Sequence, residues 1–292
     1  MDTLSKILRF FGKHDLLPPR LHHKLCSVLR GHRKLPGKDF NVSFFGYRYA
    51  GCTDDWMDWH AYYHGAYNKG TIFLLKDIAV HLNSNSIVFV DVGAAVGQMS
   101  LFMATYCENV YAFEPSPDCV RILERRMHDN GVTNVVCRQI GLGDEEQRLP
   151  LYEHAESNLG TSSFLPNFNA AEASSPVPVM RGDDALRESG ASRVDIVKID
   201  AQGFEAKVLR GLSQTINRDE PIVVLDVPLP ARSDLGSMDY LERLFFDKYD
   251  FFKVLNVMGK RYRLSGYNLD LDHSAPVCLC VPKSNEKIRT LL

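Results

Sequence analysis

Val88-Phe-Val-Asp-Val-Gly-Ala-Ala-Val-Gly97 is the stretch on which the fold turns. A short apolar, β-branched run reads as a buried strand, Asp91 stands just before a turn, and glycines spaced G-x-x-x-G carry the chain into a helix. Gly93 lets the backbone turn where a Cβ would clash, and Gly97 lets the helix start close to a ligand. Strand, acidic end, glycine turn and helix form a cofactor-holding corner. From there onward, short β-branched runs alternate with helix-length amphipathic segments, which argues for a parallel sheet with crossover helices. The strands expected are Ile87–Val92, Asn109–Glu114, Asn134–Ile140, Val194–Asp200, Pro221–Val227, Phe251–Val257 and Pro276–Pro282, with helices beginning near Gly97, Pro117, Asp183, Gly203 and Ser237. Only a turn-rich stretch, Met258 to Ser274, joins the last two strands, so they should pair antiparallel. The expectation is an α/β fold with a mostly parallel seven-stranded sheet ending in an antiparallel hairpin.

Residues 1–85 are irregular, aromatic and basic-leaning, and read as a partly helical N-terminal cap on a domain spanning 86–292. Residues 157–175, rich in Asn, Ser, Ala and Pro, read as a lid loop between short strands at Leu149–Glu153 and Val177–Met180. Hydrophobic residues make up 45% and charged residues 24%, the balance of a folded globular chain and not of a disordered or collagen-like one. Lys plus Arg number 34 against 36 Asp plus Glu, so no bulk positive field exists for a polyanion, and nucleic acid is not an expected partner. Seven scattered cysteines without a C-x-x-C pair exclude a disulfide scaffold or zinc knuckle, and Cys278 and Cys280 share one face of a core strand. No secretory signal or transmembrane span is recognisable, and the expected location is cytoplasmic. Leu4, Ile7, Leu8 and Phe11 share a helical face near Lys6, Arg9 and Lys13. That face is expected to dock on the protein body, with peripheral membrane contact through residues 1–13 as the alternative.

The chemistry of the corner follows from its charges. A pyrophosphate calls for G-x-G-x-x-G without an adjacent carboxylate, and Asp91 would repel a phosphate. S-adenosylmethionine brings an ammonium and a sulfonium, which Asp91 suits directly or through water. The next strand, Asn-Val-Tyr-Ala-Phe-Glu114-Pro, ends in a carboxylate about 20 residues beyond the first glycine, where a ribose would lie. Glu114 can accept both ribose hydroxyls; alternatively it caps the helix starting at Pro117, as is expected of Ser116. Adenine is expected near Arg138, Gln139 and Ile140.

A third site is Asp195-Ile-Val-Lys-Ile-Asp-Ala-Gln-Gly-Phe-Glu205. Lys198 and Asp200 lie on one side of the pleat at a strand end, where open α/β sheets face their ligands, and Gln202 and Glu205 follow. Asp226 ends the neighbouring strand. Three readings stay open: general-base help for a hydroxyl, a divalent cation on hard oxygen ligands, or an internal Lys198–Asp200 ion pair beneath the site. His60 and His64 offer a further base if the cap folds over the cofactor; otherwise they are packed in an aromatic patch.

The segments Asp-Val-Gly-Ala-Ala-Val-Gly, Phe-Glu-Pro-Ser-Pro, Lys-Ile-Asp-Ala-Gln-Gly-Phe-Glu and Tyr-Tyr-His-Gly-Ala-Tyr at 62–67 resemble, in order, FkbM-type methyltransferases from about residue 44 to 282. The resemblance implies a class I Rossmann-like methyltransferase fold, S-adenosylmethionine as donor, and transfer to a hydroxyl of a sugar, glycan or polyketide-type small molecule. It further implies that Asp91, Gly93 and Gly97 form the donor corner, that Glu114 holds the ribose, and that Asp200 and Glu205 line the catalytic crevice; beside these, Ala94, Pro115, Ser116, Gln139 and Asp200 are candidate donor contacts and Lys198 and His64 candidate catalytic residues. The family more often shows Glu where Gln202 stands, Glu followed by His where Asp226 and Pro228 stand, and an acidic residue where Asn68 stands. The layout is also similar to catechol-type O-methyltransferases, which hold Mg²⁺ at the same strand ends. That likeness implies Asp200 and Asp226 as a metal pair, although Val227 stands where an amide ligand would follow.

The expected activity is therefore O-methyl transfer from S-adenosylmethionine, with Asp200 as base. A catalytically silent donor-binding module and an NAD-dependent oxidoreductase compete with it. The second shares the corner but lacks G-x-G-x-x-G.

Overall fold

The computed structural model describes residues 3–18, 21–27, 37–153, 160, 162–166, 172–173, 175–258, 261–272 and 277–289. Helix α1 (Thr3–Lys13) leads to a hairpin of β1 (Asp39–Phe44) and β2 (Tyr47–Cys52), then to α2 (Trp56–His64) and α3 (Lys69–Leu82). The hairpin was not expected in the cap. Its signal is the alternation Phe40, Val42, Phe44 on the buried face and a two-residue turn, Phe45-Gly46, with both φ positive, as a type I′ turn requires. Of the apolar face expected on α1, Leu8 is buried and Phe11 half-buried, whereas Leu4 and Ile7 are exposed.

The glycine corner follows as β3 (Val88–Val92) and α4 (Gln98–Met103), then β4 (Asn109–Phe113), α5 (Pro117–Asp129) and β5 (Val135–Arg138). Beyond β5 come β6 (Gly141–Gly143), β7 (Gln147–Leu149), β8 (Tyr152–Glu153), β9 (Glu172–Ala173), β10 (Val177–Arg181) and α6 (Gly182–Glu188). The rest of the sheet is built by β11 (Ile196–Ile199), α7 (Glu205–Gly211), α8 (Ser213–Asp219), β12 (Ile222–Asp226), α9 (Leu229–Leu235), α10 (Met238–Leu244), β13 (Tyr249–Met258), β14 (Arg261–Gly266) and β15 (Val277–Pro282), with α11 (Glu286–Arg289) last. The main sheet runs β14-β13-β15-β12-β11-β3-β4-β5. Strands β12, β11, β3, β4 and β5 are parallel, and β15 enters antiparallel between β12 and β13.

The seven expected strands are present, but the sheet has eight. Arg261–Gly266 pairs antiparallel with β13 in the stretch expected to be turns. Tyr262 and Leu264 alternate onto the core there, and Tyr262 donates to Asp77 Oδ2 on α3 at 2.8 Å, a period-2 pattern masked by the intervening arginines. Helices α8 and α9 are likewise additions to the expected set.

The central strands are buried on both faces because helices cover both. One core face joins Phe89, Leu101 and Val224 to Phe44, Tyr49, Tyr62 and Leu75 of the N-terminal elements. The other joins Val90, Val197 and Leu225 to α6, α7 and α8. Most of the expected lid at 157–175 lies outside the described residues; within it, Tyr152 bridges Ser163, and β8 pairs with β9.

Candidate active site

The parallel register places Asp91 of β3 level with Lys198 of β11, and β12 brings Asp226 to the same sheet end. At that end lie two adjoining cavities that open to solvent, with about 490 and 650 Å³ of free space counting their mouths. Gly93, Ala95, Gly160, Asp200 and Gln202 wall both. The smaller continues along Phe113, Glu114, Pro115, Gly141, Leu142 and Phe164; the larger along Met57, Tyr67, Asn68, Gln98, Met99 and Lys198.

The glycine turn is pinned to its neighbours. Gly93 and Ala94 donate their N–H groups to Phe113 O at 2.9 and 3.1 Å, and Asp200 N donates to Val92 O at 3.0 Å. Gly93 has φ of +73°, and a Cβ there would meet the Asp200 carbonyl. Gly97 departs from expectation. A Cβ at Gly97 would run into Leu123 of α5, so this glycine makes room for helix packing and not for a ligand. Ala95, Asn68 and Gln202, all on cavity walls, have φ of +47°, +44° and +49° without being glycine.

Glu114 is buried at the floor of the smaller cavity. Its two oxygens accept N–H from Ala95 at 2.8 Å and Ser116 at 2.9 Å, which leaves each with a further lone pair. Burial pushes its carboxyl up to about 7 against these two bonds. Ser116 thus contributes through its backbone. Pro115 lines the cavity, but Gln139 is exposed and outside the wall. Strand β5 ends at Arg138, which turns to Ser189 at 3.2 Å, and the wall passes to Gly141 and Leu142 of β6.

An acidic cluster underlies the larger cavity. Lys198 Nζ, buried, lies 3.6 Å from Asp200 Oδ2 and 3.8 Å from Asp91 Oδ1. Burial pulls the Lys198 pKa down, but Asp200, Asp91 and Asp226 outweigh it and hold the ammonium charged. Asp91 is fully buried and lines neither cavity; Ser100 donates to its Oδ2 at 2.6 Å, and its Oδ1 has no hydrogen-bond partner among the described residues. Asp91 therefore sits beneath the corner with Lys198 between it and the cavity, where direct contact with the donor had been one expectation. Asp226 is also buried, with Oδ2 unpartnered among the described residues. Burial first, and then Asp200, raise its pKa well above the usual carboxylate value. Asp200 remains partly accessible, accepting from Gln202 Nε2 at 2.6 Å on Oδ1.

Glu205 and His64, both expected beside the reaction, are elsewhere. Glu205 is fully buried and spends both oxygens on the turn, accepting from Ala201 N at 3.0 Å and Gly203 N at 2.9 Å. His64 belongs to an aromatic nest with His22, His23, His60 and Trp59, with its Nδ1 3.2 Å from His22 Nδ1. Burial and the neighbouring histidines pull it down to about 3, so it stays neutral, outside both cavities.

Tyr67, absent from the expected site residues although it ends the 62–67 segment, lines the larger cavity. Burial, then Asp200 and Asp226, push its phenol up to about 12. Gln98 fixes it, accepting from Tyr67 N at 2.7 Å and donating to Tyr49 OH at 3.2 Å. No local pattern in the sequence links residues 49, 67 and 98.

The site fits an adenosyl sulfonium donor: a carboxylate with spare lone pairs at the adenosine end, a Cβ-free turn, and unpartnered buried carboxylate oxygens under the joined cavities. It does not fit a divalent cation. Among the described residues no three His, Cys, Asp or Glu side chains converge as ligands, and the Lys198 ammonium sits among the carboxylates a metal would need.

The strand order, with an antiparallel strand inserted beside β12, is that of the Rossmann-like methyltransferases. Residues 91–262 match the methyltransferase FkbM domain, and the chain belongs to that family. It is 31% identical over 203 residues to methyltransferase sdnD of Sordaria araneosa, covering 59% of this chain and 76% of that protein. Hexuronic acid methyltransferase AglP of Haloferax volcanii is 27% identical over 143 residues, 46% of this chain and 53% of AglP. Among solved structures, the methyltransferase FkbM from Methylobacillus flagellatus KT aligns with a TM-score of 0.44 at 18% identity, over 67% of this chain and 43% of that one. Among the described residues no helix is long and apolar enough to cross a membrane.

Proposed function

We propose that the protein transfers a methyl group from S-adenosylmethionine to a neutral hydroxyl of a sugar, glycan or polyketide-type acceptor. The observation that carries this is the position of Asp200, a partly accessible carboxylate on the wall common to both cavities. When bound, the donor supplies an electrophilic methyl whose bonding electrons leave with sulfur. Glu114 and the turn at Gly93 would hold its adenosine end in the smaller cavity, and Lys198 keeps the carboxylates beneath the junction ordered. Asp200 takes the hydroxyl proton on Oδ2 as the acceptor oxygen bonds to carbon, its Oδ1 being oriented by Gln202. Tyr67, with a phenol that stays protonated, faces the same cavity as a neutral hydrogen-bonding group.

Electrostatics select the acceptor. Lys198 is the only lysine or arginine on the described walls, and Asp91 and Asp200 already claim it. On the described walls a carboxylate or phosphate beside Asp200 would meet no further lysine or arginine, whereas a neutral hydroxyl needs none. AglP is named for hexuronic acid; a carboxylate held against Asp200 is the arrangement this site disfavours.

Calorimetric titration with S-adenosylhomocysteine tests the donor assignment, with NAD as control and Glu114→Ala as the site variant. Micromolar binding lost in the variant is the expected result. Preference for NAD would overturn the proposal, and binding without methyl transfer to any neutral sugar or polyketide hydroxyl would leave a silent module in its place.

A further inference from the structure

The first 38 residues carry nine Lys and Arg against two Asp, in a chain whose net charge is -2. Within this basic segment α1 has two apolar faces. Leu8 packs with Trp59 of α2, Ser5 Oγ lies 3.1 Å from Tyr63 OH, and Gly12 is pressed against the Tyr63 carbonyl, so one face is committed to the protein body. Leu4, Ile7 and Phe10, three residues apart, point away and are 46%, 46% and 57% exposed. Leu16, Leu21 and Leu25, beyond the helix, are exposed as well. Half of the large exposed hydrophobic side chains among the described residues thus lie in the first 25 positions, which a monomer in water does not favour. Lys6 and Lys13, both exposed, share the flank of this face at heptad spacing, with exposed Lys24 beyond.

We propose that this segment docks the protein on an anionic phospholipid surface, with Leu4, Ile7 and Phe10 seated at the acyl boundary and Lys6 and Lys13 among the headgroups. The occupant follows from charge. An apolar face flanked by lysines on a segment of strong positive excess complements a surface that is apolar within and negative outside. A second copy of the same segment would bring like charges together. The active-site cavities lie at the sheet end and take no part, so the inference stands apart from the methyl-transfer proposal.

Co-sedimentation of the full chain with vesicles of phosphatidylcholine, with and without phosphatidylglycerol, tests it. Binding is expected only with phosphatidylglycerol and is expected to weaken as salt is added. Ile7→Glu combined with Phe10→Glu should lower the partition coefficient at least about tenfold, and Lys6→Gln or Lys13→Gln about fivefold each. The same variants should keep the wild-type melting temperature, since these side chains are outside the core. Absence of binding to the anionic vesicles, binding indifferent to these substitutions, or a dimer in light scattering that Ile7→Glu dissolves while vesicles are ignored would each overturn the proposal.

Discussion

Replacing Arg126 by Met tests how the N-terminal elements are held to the donor corner. The guanidinium of Arg126, on α5, donates to Val96 O at 2.7 Å in the glycine turn, to Ala50 O at 3.2 Å in the hairpin, and to Asp58 Oδ1 at 2.7 Å on α2. It also stacks 3.9 Å from the Tyr49 ring centroid. Asp58 accepts in addition from Tyr49 OH and Cys52 N, both at 2.9 Å, and both ion-pair side chains are largely buried. Removing the cation strands a carboxylate and two carbonyls away from water, which costs about 3–5 kcal/mol. At about 2 °C per kcal/mol for a chain of this size, the midpoint should fall by about 6–10 °C. Adding Asp58→Asn removes the stranded charge. The double variant should therefore be less damaged than the sum of the singles by about 1–3 kcal/mol. Urea unfolding of the four proteins in the cycle measures both quantities. A single-variant loss below about 1 kcal/mol, or strict additivity, would refute the claim that this pair bears the junction.

Asp200→Asn should lower kcat by about 10²–10⁴ while S-adenosylhomocysteine affinity stays within a few fold; collapse of binding would make Asp200 a donor ligand instead. Gly93→Ala introduces a Cβ against the Asp200 carbonyl at a φ of +73°, and should cost at least about 1–3 kcal/mol in denaturant unfolding together with donor binding. Glu205 is pushed by burial from its ordinary 4.5 up to about 8. A carboxyl whose pKa is raised on folding contributes stability that is full below the unfolded value and lost as pH rises through the folded one, so unfolding free energy should decline between pH 4.5 and about 8. Glu205→Gln should flatten that decline, and an unchanged slope would place the titration on other groups such as Glu114.

The sheet was readable because its strands are locally explicit. Val88–Val92, Ile196–Ile199 and Ile222–Asp226 are apolar runs that must be buried on both faces, and the glycines after Asp91 mark the turn without help from tertiary context. Strand β14 was hidden because its alternation, Tyr262 and Leu264, is set among arginines that also suit a turn. Within the site, the position of Asp200 and Glu114 on the cavity walls was legible because carboxyl ends of parallel strands face ligands. The nonlocal parts could not. Glu205 lies five residues after Asp200, a spacing that suits a crevice wall as well as a brace for the turn, and only the chain's path sends both its oxygens to Ala201 and Gly203. Tyr67 reaches the larger cavity through Gln98, from another element 31 residues on.

Asn68, Ala95 and Gln202 share a property that bears on how this protein can be improved or spoiled. A left-handed backbone costs Ala95 and Gln202 on the order of 1 kcal/mol each, and less at Asn68, whose short amide side chain tolerates it; all three line one cavity. Glycine at Ala95 or Gln202 would relieve that strain against the extra freedom it gives the unfolded chain, and at Gln202 it would also remove the hydrogen bond that orients Asp200. A search for thermostable variants guided by melting temperature alone would keep such glycines wherever strain relief wins, and would return proteins that turn over more slowly.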